Sequence, residues 1–111
     1  MAMCERRLTC TFDWAVEAIH EGIMNRSVSI SYEDGMYYEL DGVRCAVKVY
    51  ERYSYMGSNR VSMTVTVFGR DGDLRVCGIT SGGSQAVFFK LNTLGEESFL
   101  ETLEDTLDSL C

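Results

Sequence analysis

Between Val43 and Phe68 the chain alternates apolar and polar residues twice. Val43, Cys45, Val47 and Val49 fall on one side of an extended backbone, and Arg44, Ala46, Lys48, Tyr50 and Arg52 on the other. Val61, Met63, Val65 and Val67 repeat the apolar set against Arg60, Ser62, Thr64 and Thr66. A period of two with many β-branched residues predicts two long strands. Met56-Gly57-Ser58-Asn59 supplies the polar turn between them. The aliphatic set of each arm is expected to face the core, and the polar set solvent.

The flanking segments attach to this hairpin. Arg6–Phe12 alternates as a strand, and Asp13 is placed to cap a helix to about Met24 with Val16, Ile19 and Ile23 on one stripe. Gly22 weakens that helix's last turn. Ser27–Tyr32 alternates again, Glu33-Asp34-Gly35 reads as a turn, Met36–Leu40 as a short edge strand and Asp41-Gly42 as another turn. After Gly69-Arg70-Asp71-Gly72 come a strand over Leu74–Thr80, a loop at Ser81-Gly82-Gly83-Ser84 and a last strand over Gln85–Leu91. Thr93 and Glu96 have capping-box spacing, and Phe99, Leu100, Leu103, Leu107 and Leu110 form a helical stripe with Glu97, Glu101, Glu104, Asp105 and Asp108 opposite.

The order is strand, helix, an antiparallel meander of four to six strands, helix. It predicts one α+β domain over residues 1–111, with both helices on one sheet face and the other face open. That order resembles the TATA-binding-protein-like and helix-grip architectures, a likeness of topology that carries no function.

Composition limits the function classes. The 111 residues are 46% apolar and 24% charged, with a formal net charge of −7 and no proline. An acidic chain is repelled at long range by nucleic acid and anionic membranes. Met-Ala-Met-Cys-Glu-Arg-Arg has no apolar run after its charges, and no segment has the ~18 apolar residues of a membrane span. Cys4, Cys10, Cys45, Cys77 and Cys111 are odd in number and scattered, so reduced thiols in a cytoplasm are expected rather than a disulfide framework or a metal site. No cofactor motif is present in the sequence; Ser81-Gly82-Gly83-Ser84 lacks the lysine and spacing of a phosphate loop.

Three sets of residues carry candidate chemistry. On the polar side of the hairpin, Arg44, Lys48, Tyr50, Arg52 and Arg60 form a basic-aromatic set together with Phe68, which Lys90 joins if Ala86 and Phe88 also face outward. Such surfaces serve self-association, a protein partner or a ligand, although a solvated sheet face has the same look. Glu51 falls in phase with the valines and is followed by Tyr53 and Tyr55, so it is either a base with a raised pKa or the solvated end of a strand. Tyr53, Tyr55, Met63 and Phe99 could line an apolar carrier pocket or simply fill a core. His20, the single histidine, lies at the edge of its helix stripe; an enzyme would have to use Glu51 with Tyr53 or His20, the weakest of the three readings.

The runs Val43-Arg44-Cys45-Ala46-Val47-Lys48-Val49-Tyr50-Glu51-Arg52-Tyr53-Ser54-Tyr55 and Ile79-Thr80-Ser81-Gly82-Gly83-Ser84-Gln85-Ala86-Val87-Phe88-Phe89-Lys90 are similar to a small bacterial domain-of-unknown-function family, number 6054, found mostly in Gram-positive organisms. The resemblance implies a cytoplasmic, stand-alone domain and brings no activity and no functional residues. The resulting expectation is a non-enzymatic binding or self-association module that acts through its open sheet face.

Overall fold

The computed structural model describes residues 1–54, 59–82 and 89–111, with side chains described for 1–53, 60–82 and 95–111. The elements are β1 (Ala2–Leu8), α1 (Phe12–Met24), β2 (Ile30–Leu40), β3 (Val43–Ser54), β4 (Asn59–Arg70), β5 (Asp73–Gly82) and α2 (Phe89–Asp108). The five strands form one antiparallel sheet in the order β1-β5-β4-β3-β2. The expected α+β arrangement is present, with the strand, helix, meander, helix order read from the sequence. Both helices lie on one face of the sheet, α1 packing against β2 and β4 and α2 against β1, β4 and β5.

Loop length decides which residues that face contains. Ser54 of β3 pairs with Asn59 of β4, so four residues separate the paired ends. Each partnership in this hairpin therefore joins an even-numbered residue to an odd-numbered one, as in Ala46 with Val67, Lys48 with Val65 and Tyr50 with Met63. Directly paired residues share a face. Val61, Met63, Val65 and Val67 are buried under the helices, and so are Ala46 and Tyr50. The valines of β3 point the other way. The expectation that both aliphatic sets share the core is thus wrong for β3, where a register slip of one residue exchanges the faces. The turn residues 56–58 lie outside the described set, but the pairing on either side fixes the outcome.

Other elements shift for local reasons. Glu33-Asp34-Gly35 is no turn. β2 runs through it as one edge strand with a register shift between Tyr32 and Asp34. The bulge exchanges the strand's faces, so Ile30 and Tyr32 before it and Gly35 and Tyr37 after it all look toward the helices. Thr11 occupies the α1 cap position without a side-chain bond, and Asp13 lies inside the first turn. The missing cap comes from far along the chain: Asp71, in the β4–β5 turn, accepts the Phe12 amide at 2.8 Å. The adjacent Gly72 amide donates to the Cys10 carbonyl at 3.0 Å. Gly72 has φ 87° there, a conformation that favours glycine.

α2 begins by Phe89, so the expected strand over Gln85–Leu91 is helical in its last three residues, and residues 85–88 lie outside the described set. Thr93 and Glu96 consequently sit within the helix rather than at its start. Glu96 is buried and its carboxylate accepts the Gly82 amide at 3.0 Å, while the buried Thr80 hydroxyl donates to the Glu96 carbonyl. Phe99, Leu100, Leu103 and Leu107 fill the space between α2 and the sheet. Gly22 is the point where α1 meets α2. A Cβ at that position would run into the side chain of buried Thr106, so the glycine permits close approach of the helices.

The thiols are not all free. Cys10, after β1, is disulfide-bonded to Cys111 with a Cα–Cα separation of 5.7 Å, while Cys4, Cys45 and Cys77 remain thiols. The expectation of wholly reduced cysteines is corrected here. Positions 101 apart in sequence become neighbours only after β1 and α2 have docked side by side.

Candidate functional site

The residues expected to form one basic-aromatic surface are distributed over both faces of the sheet. Arg44, Lys48, Tyr50 and Arg52 are on the helix side, where their even parity puts them, and Arg60 alone is on the open side. Tyr50 is fully buried. Arg52 donates to the Gly95 carbonyl at 3.1 Å, and its guanidinium lies 4.9 Å from the centre of the Phe99 ring. That side chain fastens β3 to α2. Arg44 donates to Asp13 at 2.6 Å and to the Tyr37 hydroxyl at 2.8 Å, lying 4.4 Å from the Phe12 ring centre. The hydrogen bond from Arg44 holds the Asp13 carboxyl below the ordinary range of an aspartate. Arg60 donates to Glu51 at 2.6 Å, with Glu33 nearby.

Glu51 therefore follows the valines onto the open face, where it meets Arg60. It is on the opposite side of the sheet from His20, so the pairing of the two in an enzyme site is excluded by geometry. Tyr53 is exposed on the open side, while Met63 and Phe99 are fully buried on the helix side. The four residues of the carrier pocket therefore do not line one space; Tyr55 lies outside the described residues, as do the side chains of Phe88 and Lys90.

His20 has a different partner. Its Nδ1 lies 2.8 Å from the Tyr50 hydroxyl. With the imidazole proton on Nε2, the hydroxyl of buried Tyr50 donates to Nδ1 of half-buried His20, and both atoms are satisfied. Tyr32 stands edge-on to His20 and tilted against Tyr50, with ring centres 5.3 and 5.5 Å away. Burial pushes the His20 pKa below its ordinary value of 6.5, and the charge of Lys48 pushes it in the same direction. Burial likewise raises that of Tyr50 well above a free tyrosine. The depressed His20 pKa means that the unfolded chain holds more protons near pH 6, so stability falls as pH drops below 6.5 toward the folded-state value. Urea unfolding at pH 7.5 and at pH 5.5 should show this loss in the wild type. His20→Gln should flatten the difference, and an equal pH dependence in the two proteins would contradict the assignment.

Two surfaces remain open to a partner or ligand. The first is a cleft of about 480 Å³ between the first half of α1 and the β2–β3 hairpin, with Phe12, Val16, Tyr32, Tyr37, Ala46 and Lys48 among its walls. None of Phe12, Tyr32 and Tyr37 stands out in the sequence as a site residue; the β2 bulge, disguised as a turn signal, brings the two tyrosines to the helix side. The second surface is the open face of the sheet. It presents Val43, Cys45, Val47 and Val49 of β3 beside Met36, Tyr38 and Leu40 of β2, Thr64, Thr66 and Phe68 of β4, and Cys77 and Ile79 of β5. Leu40 is 75% exposed, Met36 57%, Tyr38 55% and Phe68 48%. Charged residues sit toward its ends, as Glu51 with Arg60 and as Asp73 with Arg7 and Arg75, and on its two edge strands, as Glu5 of β1 and Asp34 of β2.

Residues 1–111 match a family of unknown function, DUF6054, over the whole length. The chain belongs to that family. Membership in DUF6054 accounts for the resemblance carried by the β3 segment and by the stretch from Ile79 onward, and it assigns no chemistry to either surface. No curated protein matches the chain. Among the described residues there is no cluster of three or more histidine, cysteine or acidic side chains arranged to hold a metal ion, and no helix long and apolar enough to cross a membrane.

Proposed function

We propose that this DUF6054 protein is a self-association module whose open sheet face packs against the same face of a second copy. The observation that carries this reading is the uncovered aliphatic side of β3, continuous with exposed Met36, Tyr38, Phe68 and Ile79. A contiguous apolar surface rimmed by polar residues is what association sites present. Five strands about 4.8 Å apart and ten residues long at ~3.3 Å each give roughly 800 Å² per copy. That area matches one side of a standard protein interface, ~800 Å² per partner. The face carries Glu5, Glu33, Asp34, Glu51 and Asp73 against Arg7, Arg60, Arg70 and Arg75, so its charges nearly cancel. Two identical faces can then meet about a two-fold axis without the repulsion that the overall charge of −7 would otherwise cause.

Sedimentation velocity provides the test. The wild type should sediment as a dimer. Val47→Glu places a carboxylate at the centre of the face without touching the helix-side core, and should yield a folded monomer. Desolvating that charge in an apolar interface costs several kcal/mol, enough to raise Kd by more than ~100-fold. A wild type that stays monomeric at high concentration, or a Val47→Glu variant that associates unchanged, would contradict the reading.

A further inference from the structure

We propose that the cleft between α1 and the β2–β3 hairpin binds a small amphipathic monocarboxylate, with Lys48 receiving the carboxylate and the aromatic walls taking the apolar body. The cleft is on the helix side of the sheet, so this site stands apart from association through the open face.

Arg44 and Lys48 both line the cleft, but only Arg44 is engaged, by Asp13 and Tyr37. Lys48 enters no ion pair among the described residues. Its ammonium instead lies 4.8 Å from the centre of the Tyr32 ring, and the residue is half-buried. A partly desolvated ammonium over an aromatic face keeps its full demand for an anion, because cation–π attraction is worth less than a charge-assisted hydrogen bond.

A second donor lies close by. The β2 bulge and Gly35 lay the Tyr32 ring across the strand, so that its hydroxyl rests directly over the glycine; a Cβ at Gly35 would meet that oxygen and the Val47 carbonyl. Tyr37 and Tyr38 each donate to a neighbouring side chain, whereas the Tyr32 hydroxyl has no hydrogen-bond partner among the described residues. An ammonium and a hydroxyl, both unused, therefore open into one cleft.

The remaining walls select the class of ligand. Phe12, Val16, Ala46 and the Tyr37 ring are apolar, and the volume of about 480 Å³ is that of a small-molecule site. One ammonium with one hydroxyl matches a singly charged, planar carboxylate. A phosphate dianion would bring a second negative charge to a cleft with Asp13 and Glu17 at its rim. The walls thus supply apolar contact that a single exposed ion pair could not replace.

The test uses two-dimensional amide NMR on the full chain with three probes: 3-phenylpropionate, its neutral amide 3-phenylpropanamide, and inorganic phosphate. 3-Phenylpropionate should give saturable shifts at Val16, Glu17, Gly35 and Lys48. The amide should bind roughly tenfold more weakly, the loss expected when a charge-assisted bond becomes a neutral one. Phosphate should neither bind nor compete. Lys48→Met keeps an apolar stem against Tyr32 and should reduce 3-phenylpropionate to the affinity of the amide. Glu17→Gln, at an exposed rim position, should strengthen 3-phenylpropionate. Should Lys48→Met fail to fold, the acid–amide comparison and Glu17→Gln decide the matter alone. The proposal is overturned if 3-phenylpropionate gives no saturable shifts in the cleft, if acid and amide bind equally, if phosphate displaces the acid, or if a folded Lys48→Met variant binds unchanged. Shifts confined to the open face would overturn it too, leaving the self-association reading untouched.

Discussion

Replacing Tyr50 with alanine should lower the unfolding free energy by about 3–5 kcal/mol, the range for removing a buried aromatic side chain. Tyr50 has no exposed surface, pairs with buried Met63 across the β3–β4 hairpin and offers its hydroxyl to His20. Tyr53, one strand turn further on, is 48% exposed on the opposite face, and its replacement by alanine should cost under ~1 kcal/mol. The contrast between two tyrosines three positions apart isolates the parity of β3 from the general cost of removing an aromatic ring. Tyr50→Phe separates hydroxyl from ring and should cost about 1 kcal/mol through the unmade bond to His20. Urea unfolding of the three variants checks all of this, and a larger loss at Tyr53 than at Tyr50 would reverse the assignment of faces.

Breaking the Cys10–Cys111 bond should cost almost as much. The bond closes a loop of 101 residues, and confining so long a loop in the unfolded chain is worth up to ~4.7 kcal/mol in the chain-entropy account. Measured values more often fall at ~2–4 kcal/mol. For a domain of this size that is a drop in Tm on the order of 10–20 °C. Thermal melts with and without reductant should show it, and Cys10→Ser should melt like the reduced protein whatever the redox state. Thiol titration of the native, non-reduced protein should return three groups, for Cys4, Cys45 and Cys77. Five reactive thiols, or a melting temperature indifferent to reductant, would contradict the assignment. The bond joins the α1 entry to the end of α2, so its loss should be felt first where the helices leave the sheet.

Periodicity made the element types legible across most of the chain, because alternation at two and at 3.6 residues follows directly from which side chains must be buried. It could not say which alternate residues are inside. The two arms of the Val43–Phe68 segment each carry an apolar set, and stacking the two sets on one face looks like the obvious way to build a core. The four-residue connection forbids it, since an even loop sets odd residues of β3 opposite even residues of β4. Glu33-Asp34-Gly35 misled for a similar reason, since bulges and turns draw on the same residues. The cleft was illegible because it depends on where α1 crosses the sheet, and on a bulge that turns Tyr32 and Tyr37 to the same side. Asp71 capping Phe12, and Cys10 reaching Cys111, are tertiary partnerships that local spacing does not encode.

The positive residues carry the same lesson. Read along the strand, Arg44, Lys48 and Arg52 form a basic stripe. In three dimensions Arg44 braces the start of α1, Arg52 braces α2, and Lys48 alone of the three has no ion pair or hydrogen bond to the described residues. What remains on the open face is aliphatic and nearly neutral, which favours a second copy of the same surface over an acidic ligand.

The most direct measurement of that association is an isotope-filtered NOE experiment on a sample mixing labelled and unlabelled chains. Packing of the open faces predicts intermolecular contacts among the methyl groups of Val47, Val49, Thr66 and Ile79, with none from Val65 or Leu103 on the helix side. Intermolecular contacts confined to the helices, or none in a sample that sediments as a dimer, would contradict the account.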